Sequence, residues 1–189
     1  MPSKEKDVQT TTVKILTPQE FGDLFDSFTE SAFRFESLDR YLIPEEEIEF
    51  ARFLSGEPLP AADKDEWAQF IKQNVKHGKR IQRVHAVSIP LTPYIKFEID
   101  WGYLFGSDAG EDIYLIDREL APEVARTVSD FWLFDRRTLV TMKYDPEGRF
   151  IHGIQENDPS VISTHIEVML SVLKRAIPLR AFLAEMRNA

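Results

Sequence analysis

Seven residues between positions 80 and 103 combine side chains that bind, stack and titrate. Arg80 and Arg83 can hold an anionic group through guanidinium hydrogen bonds. Tyr94, Trp101 and Tyr103 offer aromatic faces for stacking or cation–π contact. Glu98 and His85 are the candidate bases. Residues 80–89 alternate with a period of two, which predicts a strand with Ile81, Arg83, His85 and Val87 on one face. Thr92-Pro93 reads as a cap and first helical position, opening a helix to about Phe105. On that helix Tyr94, Glu98 and Trp101 fall at i, i+4 and i+7, a single stripe. If the stripe faces the strand, cation, rings and carboxylate line one cleft, suited to a small anionic ligand or a nucleotide. The plainer alternative is that the rings are core and Arg83 pairs with Glu98.

Other chemistries find less support. The chain has 189 residues and no cysteine, which excludes disulfides, thiol nucleophiles and cysteine-ligated metals. Its four histidines, His77, His85, His152 and His165, include no helical pair at i+3 or i+4, so no metal site is expected. There is no P-loop, no G-x-G-x-x-G and no G-x-S-x-G, and no cofactor is implied. Acid pairs such as Glu98 with Asp100, or Glu111 with Asp112, are expected on a solvated face in a chain of net charge −9.

The charge is unevenly placed. Residues 67–97 hold six basic side chains (Lys72, Lys76, Lys79, Arg80, Arg83 and Lys96) and no acid. Acidic stretches flank them on both sides, so the island either pairs across the fold or forms an anion site. Duplex DNA is disfavoured as a partner, because the flanking acids would repel phosphate.

These residues need a scaffold, and hydrophobic periodicity supplies one. Residues 1–14 read as a frayed tail and 15–189 as a single domain. Helices are expected at 17–28, 44–56, 63–77, 92–105, 158–176 and 179–187, each opened or closed by a Thr, Asp, Pro or Gly signal. Strands are expected near 32–42, 80–89, 112–117 and 149–155. Asp130-Phe-Trp-Leu-Phe-Asp135 and Leu139–Tyr144 add a hairpin whose first strand is buried on both faces. The expected class is α+β, with a mostly antiparallel sheet of about five short strands packed with five or six helices. No apolar run is long enough to span a bilayer and no signal peptide is visible, so a cytoplasmic protein is expected.

Several segments are familiar as a set. They are Leu16-Thr-Pro-Gln-Glu-Phe21, Gly78-Lys-Arg-Ile-Gln-Arg-Val84, Pro90-Leu-Thr-Pro-Tyr94, Gly110-Glu111-Asp112, Asp130-Phe-Trp-Leu-Phe-Asp135 and Tyr144-Asp-Pro-Glu-Gly-Arg-Phe150. In this order and spacing the chain resembles a bacterial, largely actinobacterial, family of small domains of unknown function. Such domains are often encoded beside helix-turn-helix regulators of development and antibiotic production. The resemblance implies a non-enzymatic regulatory partner of a helix-turn-helix transcription regulator and transfers no catalytic residue. The alternative, from the residues themselves, is a ligand-binding protein or enzyme. It would use Arg80, Arg83, Tyr94, Glu98, Trp101 and Tyr103, with Glu98 or His85 as base.

Overall fold

The computed structural model describes residues 13–59 and 66–188. Residues 1–12 of the expected tail and 63–65 of the expected third helix lie outside them. Lys14, at the tail's end, is already paired in strand β1 (Lys14–Ile15). Helix α1 (Pro18–Ser27) starts as its sequence requires. Thr17 accepts from the Glu20 amide and the Glu20 carboxylate accepts from the Thr17 amide, a reciprocal capping box with Pro18 at the first helical position.

The sheet has eight strands in the order β1-β7-β6-β5-β2-β3-β4-β8. Its centre is β2 (Ser31–Glu36), β3 (Arg80–Val87) and β4 (Asp112–Asp117), which run parallel. On one side β5 (Phe131–Phe134), β6 (Thr138–Tyr144) and β7 (Phe150–Glu156) continue as an antiparallel meander. On the other side β8 (Ile177–Pro178) adds a short antiparallel edge to β4. The class is α+β, and antiparallel pairs outnumber parallel ones. The expectation of about five strands is nonetheless too low, because β1 and β8 are two-residue edges with no periodicity to read. The parallel centre was also not anticipated. It arises because the β2–β3 and β3–β4 connections carry helices and therefore act as crossovers.

Helices α2 (Glu47–Leu54) and α3 (Glu66–Lys76) fill the first connection. In the second, α4 (Pro93–Glu98) passes through a π-helical turn, Ile99–Tyr103, into α5 (Leu104–Ala109). Helix α6 (Pro159–Arg175) covers one sheet face and packs Val168, Met169 and Val172 on Phe33, Phe35, Val84, Phe131 and Leu133. The other face is covered in two parts. Helices α1 and α3 seal Trp132, Phe134, Ile71 and Ile81 at one end, while α2, α4 and α7 (Leu179–Asn188) seal Phe50, Ile95, Leu115 and Phe182 at the other. Between these apolar clusters the same face presents Arg34, Glu36, Arg83 and His85. Among the described residues no helix is long and apolar enough to cross a membrane.

The β5–β6 hairpin turns through Asp135 and Arg136, both with positive φ (51° and 54°). The Asp135 carboxylate accepts from the amides of Thr29, Glu30 and Ser31 at 2.9, 2.7 and 2.9 Å, and so pins the turn to the start of β2. Asp135→Ala removes these charge-assisted bonds and leaves a β-carbon in the left-handed region. A loss of about 2–3 kcal/mol in denaturant unfolding is expected.

Candidate functional site

Two strands in parallel register carry the site. Arg34 lies directly beside Arg83, and Glu36 beside His85. Glu36 then resolves the juxtaposition of two cations. Its Oε1 accepts from Arg34 Nε at 3.2 Å and its Oε2 from Arg83 Nη1 at 2.8 Å. Arg83 Nε donates to Glu111 Oε1 at 2.9 Å, and the other oxygen of Glu111 accepts from the Trp67 indole at 2.9 Å. Arg34 Nη2 donates to the Tyr144 hydroxyl at 2.8 Å and stands 3.5 Å from Asp130 Oδ2. Tyr41 and Ser37 donate to the two oxygens of Asp130. Aromatic walls complete the cluster, with Arg34 over Trp132 and Arg83 between Trp67 and Tyr103.

A fourth carboxyl approaches from the helix above. Glu98 Oε2 lies 3.4 Å from the Tyr103 hydroxyl, which is 2.7 Å from His85 Nδ1 and 3.1 Å from Glu36. His85 Nε2 lies 2.7 Å from the Leu38 carbonyl, an acceptor only, so Nε2 carries the proton and Nδ1 accepts from Tyr103. Burial pushes His85 down from its usual range, which agrees with a neutral ring. Burial, and then the Glu36 charge, push both Tyr103 and Glu98 well above their ordinary ranges. Glu98, Tyr103 and His85 thus form a chain of neutral groups ending on a backbone carbonyl. Burial also pushes Glu36 up, but the guanidiniums of Arg83 and Arg34 outweigh it and hold the carboxyl at about 2.

Of the residues the sequence singled out, Arg83, His85, Glu98 and Tyr103 come together. Arg80, Tyr94 and Trp101 do not join them. Arg80 sits exposed at the start of β3, paired with Asp112 at 2.7 Å. Tyr94 is core, its hydroxyl donating to Glu46. Trp101 turns away because the π-helical turn adds a residue after Glu98, so Tyr103 at i+5 replaces it on the inward face, and Trp101 packs on Phe53 and Phe97. Arg83 pairs with Glu36 and Glu111 rather than with Glu98. Glu111, expected on a solvated face, is 3% exposed.

Arg34, Glu36, Tyr41, Glu111, Asp130 and Tyr144 were not among the residues the sequence singled out for the site. The alternation Phe33-Arg34-Phe35-Glu36 is visible in the sequence, but it does not say what the polar side meets. The helix-length segments between β2, β3 and β4 were the available signal, since they imply a parallel centre covered on both faces. Among the described residues no group of three or more histidines and carboxylates is placed to hold a metal ion. Glu98, Tyr103 and His85 stand in hydrogen-bond succession, the geometry of a proton path.

A mixed sheet with a parallel centre and an antiparallel wing defines an α+β scaffold seen elsewhere. The fold is similar to that of a phospholipase D family member, Nuc from Salmonella typhimurium, with a TM-score of 0.51 and 9% identity over 88% of this chain and 97% of that one. Phosphatidylserine synthase from Haemophilus influenzae Rd KW20 aligns with a TM-score of 0.46 and 11% identity over 85% of this chain and 36% of that one. The first likeness shows the fold alone. The sequence itself matches a family described as a domain of unknown function, DUF6879, over residues 19–184, and the chain belongs to that family. No curated protein matches it.

Two variants test the geometry. Gly106 in α5 faces Glu111, and a β-carbon there would lie 2.7 Å from Glu111 Oε2. Gly106→Ala must push that carboxylate off Trp67 or Arg83, with an expected cost of about 1–3 kcal/mol in denaturant unfolding. Glu98→Gln tests the neutral chain. The folded pKa of Glu98 is raised above its ordinary 4.5, so its stabilising contribution is complete below that value and is lost as pH rises through the folded pKa. Glutamine does not ionise, so the melting temperature of Glu98→Gln should gain on wild type as pH rises above 4.5. Glu36 has the opposite sign. Its contribution is present above 4.5 and is lost as pH falls toward about 2.

Proposed function

We propose that this protein binds a small polar molecule at the Arg34–Glu36–Arg83 cluster, between β3 and the α4–α5 helix. One observation carries the reading. Among the described residues, Arg34 Nη1 is buried without a hydrogen-bond partner. A buried guanidinium donor without an acceptor is costly, and an acceptor atom supplied from outside the chain relieves that cost. Arg83 and Glu98, with side chains 13% and 12% exposed, mark the side from which such a molecule approaches. Two guanidiniums face four carboxyls here (Glu36, Glu98, Glu111 and Asp130), so the cluster has no surplus positive charge. That balance favours an uncharged or singly charged ligand with an accepting oxygen over a polyphosphate.

Partnership with a helix-turn-helix regulator rests on the family resemblance, and ligand occupancy would be its natural input. Salt-sensitive co-purification with such a regulator is its expected signature.

A thermal-shift panel of monocarboxylates, amides and nucleobases tests the binding proposal on wild type and on Arg34→Lys, which keeps the charge and removes Nη1. At 100 times its dissociation constant a true ligand stabilises wild type by ~2.7 kcal/mol. The shift should shrink sharply in Arg34→Lys. An equal shift in both proteins, or none across the panel, removes the reading.

A further inference from the structure

The opposite face of the sheet holds a separate pocket of 320 Å³. It lies at the ends of the parallel strands β2 and β3, lined by Phe35, Ser37, Ala86, Ala125 and Val128. Crevices at the carboxyl ends of parallel strands are where α/β sheets place ligands. The volume suits about ten to fifteen non-hydrogen atoms at ~20 Å³ each in a close-packed interior.

Three charged residues stand on its rim, and they are not equivalent. Arg118 is occupied by the protein. Its Nη1 donates to Asp39 at 2.9 Å, and its Nη2 to the carbonyls of Ser37 and Ala86 at 2.6 and 3.2 Å. It braces the strand ends. Among the described residues Arg126 donates only to the backbone carbonyls of Ala121 and Glu119 and has no ion pair. Glu119, exposed on the same rim, also has no ion pair among them. A cation and an anion, neither in an ion pair among the described residues, therefore flank a well that is apolar at Phe35, Ala86, Ala125 and Val128 and polar at Ser37.

We propose that this pocket binds an apolar α-amino acid as its zwitterion. The ligand's carboxylate meets Arg126, its ammonium meets Glu119, and its side chain descends onto Phe35, Ala86 and Val128. A simple carboxylate would face Glu119 with like charge, and a simple amine would face Arg126. Either loses one charge-assisted contact and gains a repulsion. This proposal rests on the pocket alone and not on the Arg34 cluster, which lies under the opposite sheet face.

Isothermal titration of the full chain with L-phenylalanine tests it, beside 3-phenylpropionate and 2-phenylethylamine, which each carry one of its two charges. Saturable binding of phenylalanine is expected, with both analogues about ten-fold or more weaker. Arg126→Ala and Glu119→Gln should each weaken phenylalanine by a similar factor, and Val128→Trp, which fills the well, should abolish binding. Arg126 and Glu119 are exposed, so these two variants keep the fold, and circular dichroism checks it. Phenylpropionate binding as tightly as phenylalanine would falsify the zwitterion assignment. Unchanged affinity in Arg126→Ala, or no heat at millimolar phenylalanine, overturns the site. Arg34→Lys should leave phenylalanine binding intact, which separates this result from the fate of the cluster ligand.

Discussion

A single carboxylate between two guanidiniums organises the interior. Parallel pairing places Arg34 opposite Arg83, and like charges directly opposite each other destabilise a sheet. Glu36 gives one oxygen to each arginine, and the contact becomes attractive. Removing one member of a buried ion pair costs about 3–5 kcal/mol, because the survivor stays desolvated. The same groups fix the register. A one-residue slip of β2 would drive Arg34 and Glu36 into the apolar layer under α6 and bring Phe33 and Phe35 to the charged side.

The surrounding chain serves that arrangement. Glu111, Tyr144 and Asp130 come from separate stretches of sequence and face the arginine donors, while Trp67 and Tyr41 donate to Glu111 and Asp130 and hold those carboxylates in place. The π-helical turn does comparable work on the helical side. It sets Tyr103 beneath Glu98, where an unbroken α-helix would have presented a different residue. Apolar clusters on either side keep water from the ends of the cluster and lower the local dielectric. That strengthens the pairs already formed and makes the unpartnered Arg34 nitrogen the more costly.

The sheet architecture is shared with a phospholipase D family member at 9% identity, and fold alone does not carry chemistry. What distinguishes this chain is the placement of charge. One sheet face has a polar seam between two apolar clusters, and the other has an apolar layer with a charged rim at the strand ends. Ser37 joins the two, since it lines the pocket on one side and donates to Asp130 on the other.

Local signals were legible from the residues alone. The Thr17 and Thr92 caps, the buried run Phe131–Phe134, the hairpin after it and the last long helix follow from patterns within a few positions, where sterics and capping act. Four members of the cluster were also legible, because Arg83 and His85 share a strand face and Glu98 and Tyr103 share the next helix. Only the tertiary structure decided the rest. Glu36 meets Arg83 across 47 positions, and whether a carboxylate is a solvated surface group or a buried counterion depends on which strand lies beside it. That choice comes from crossover topology and sheet register, which no short-range period encodes.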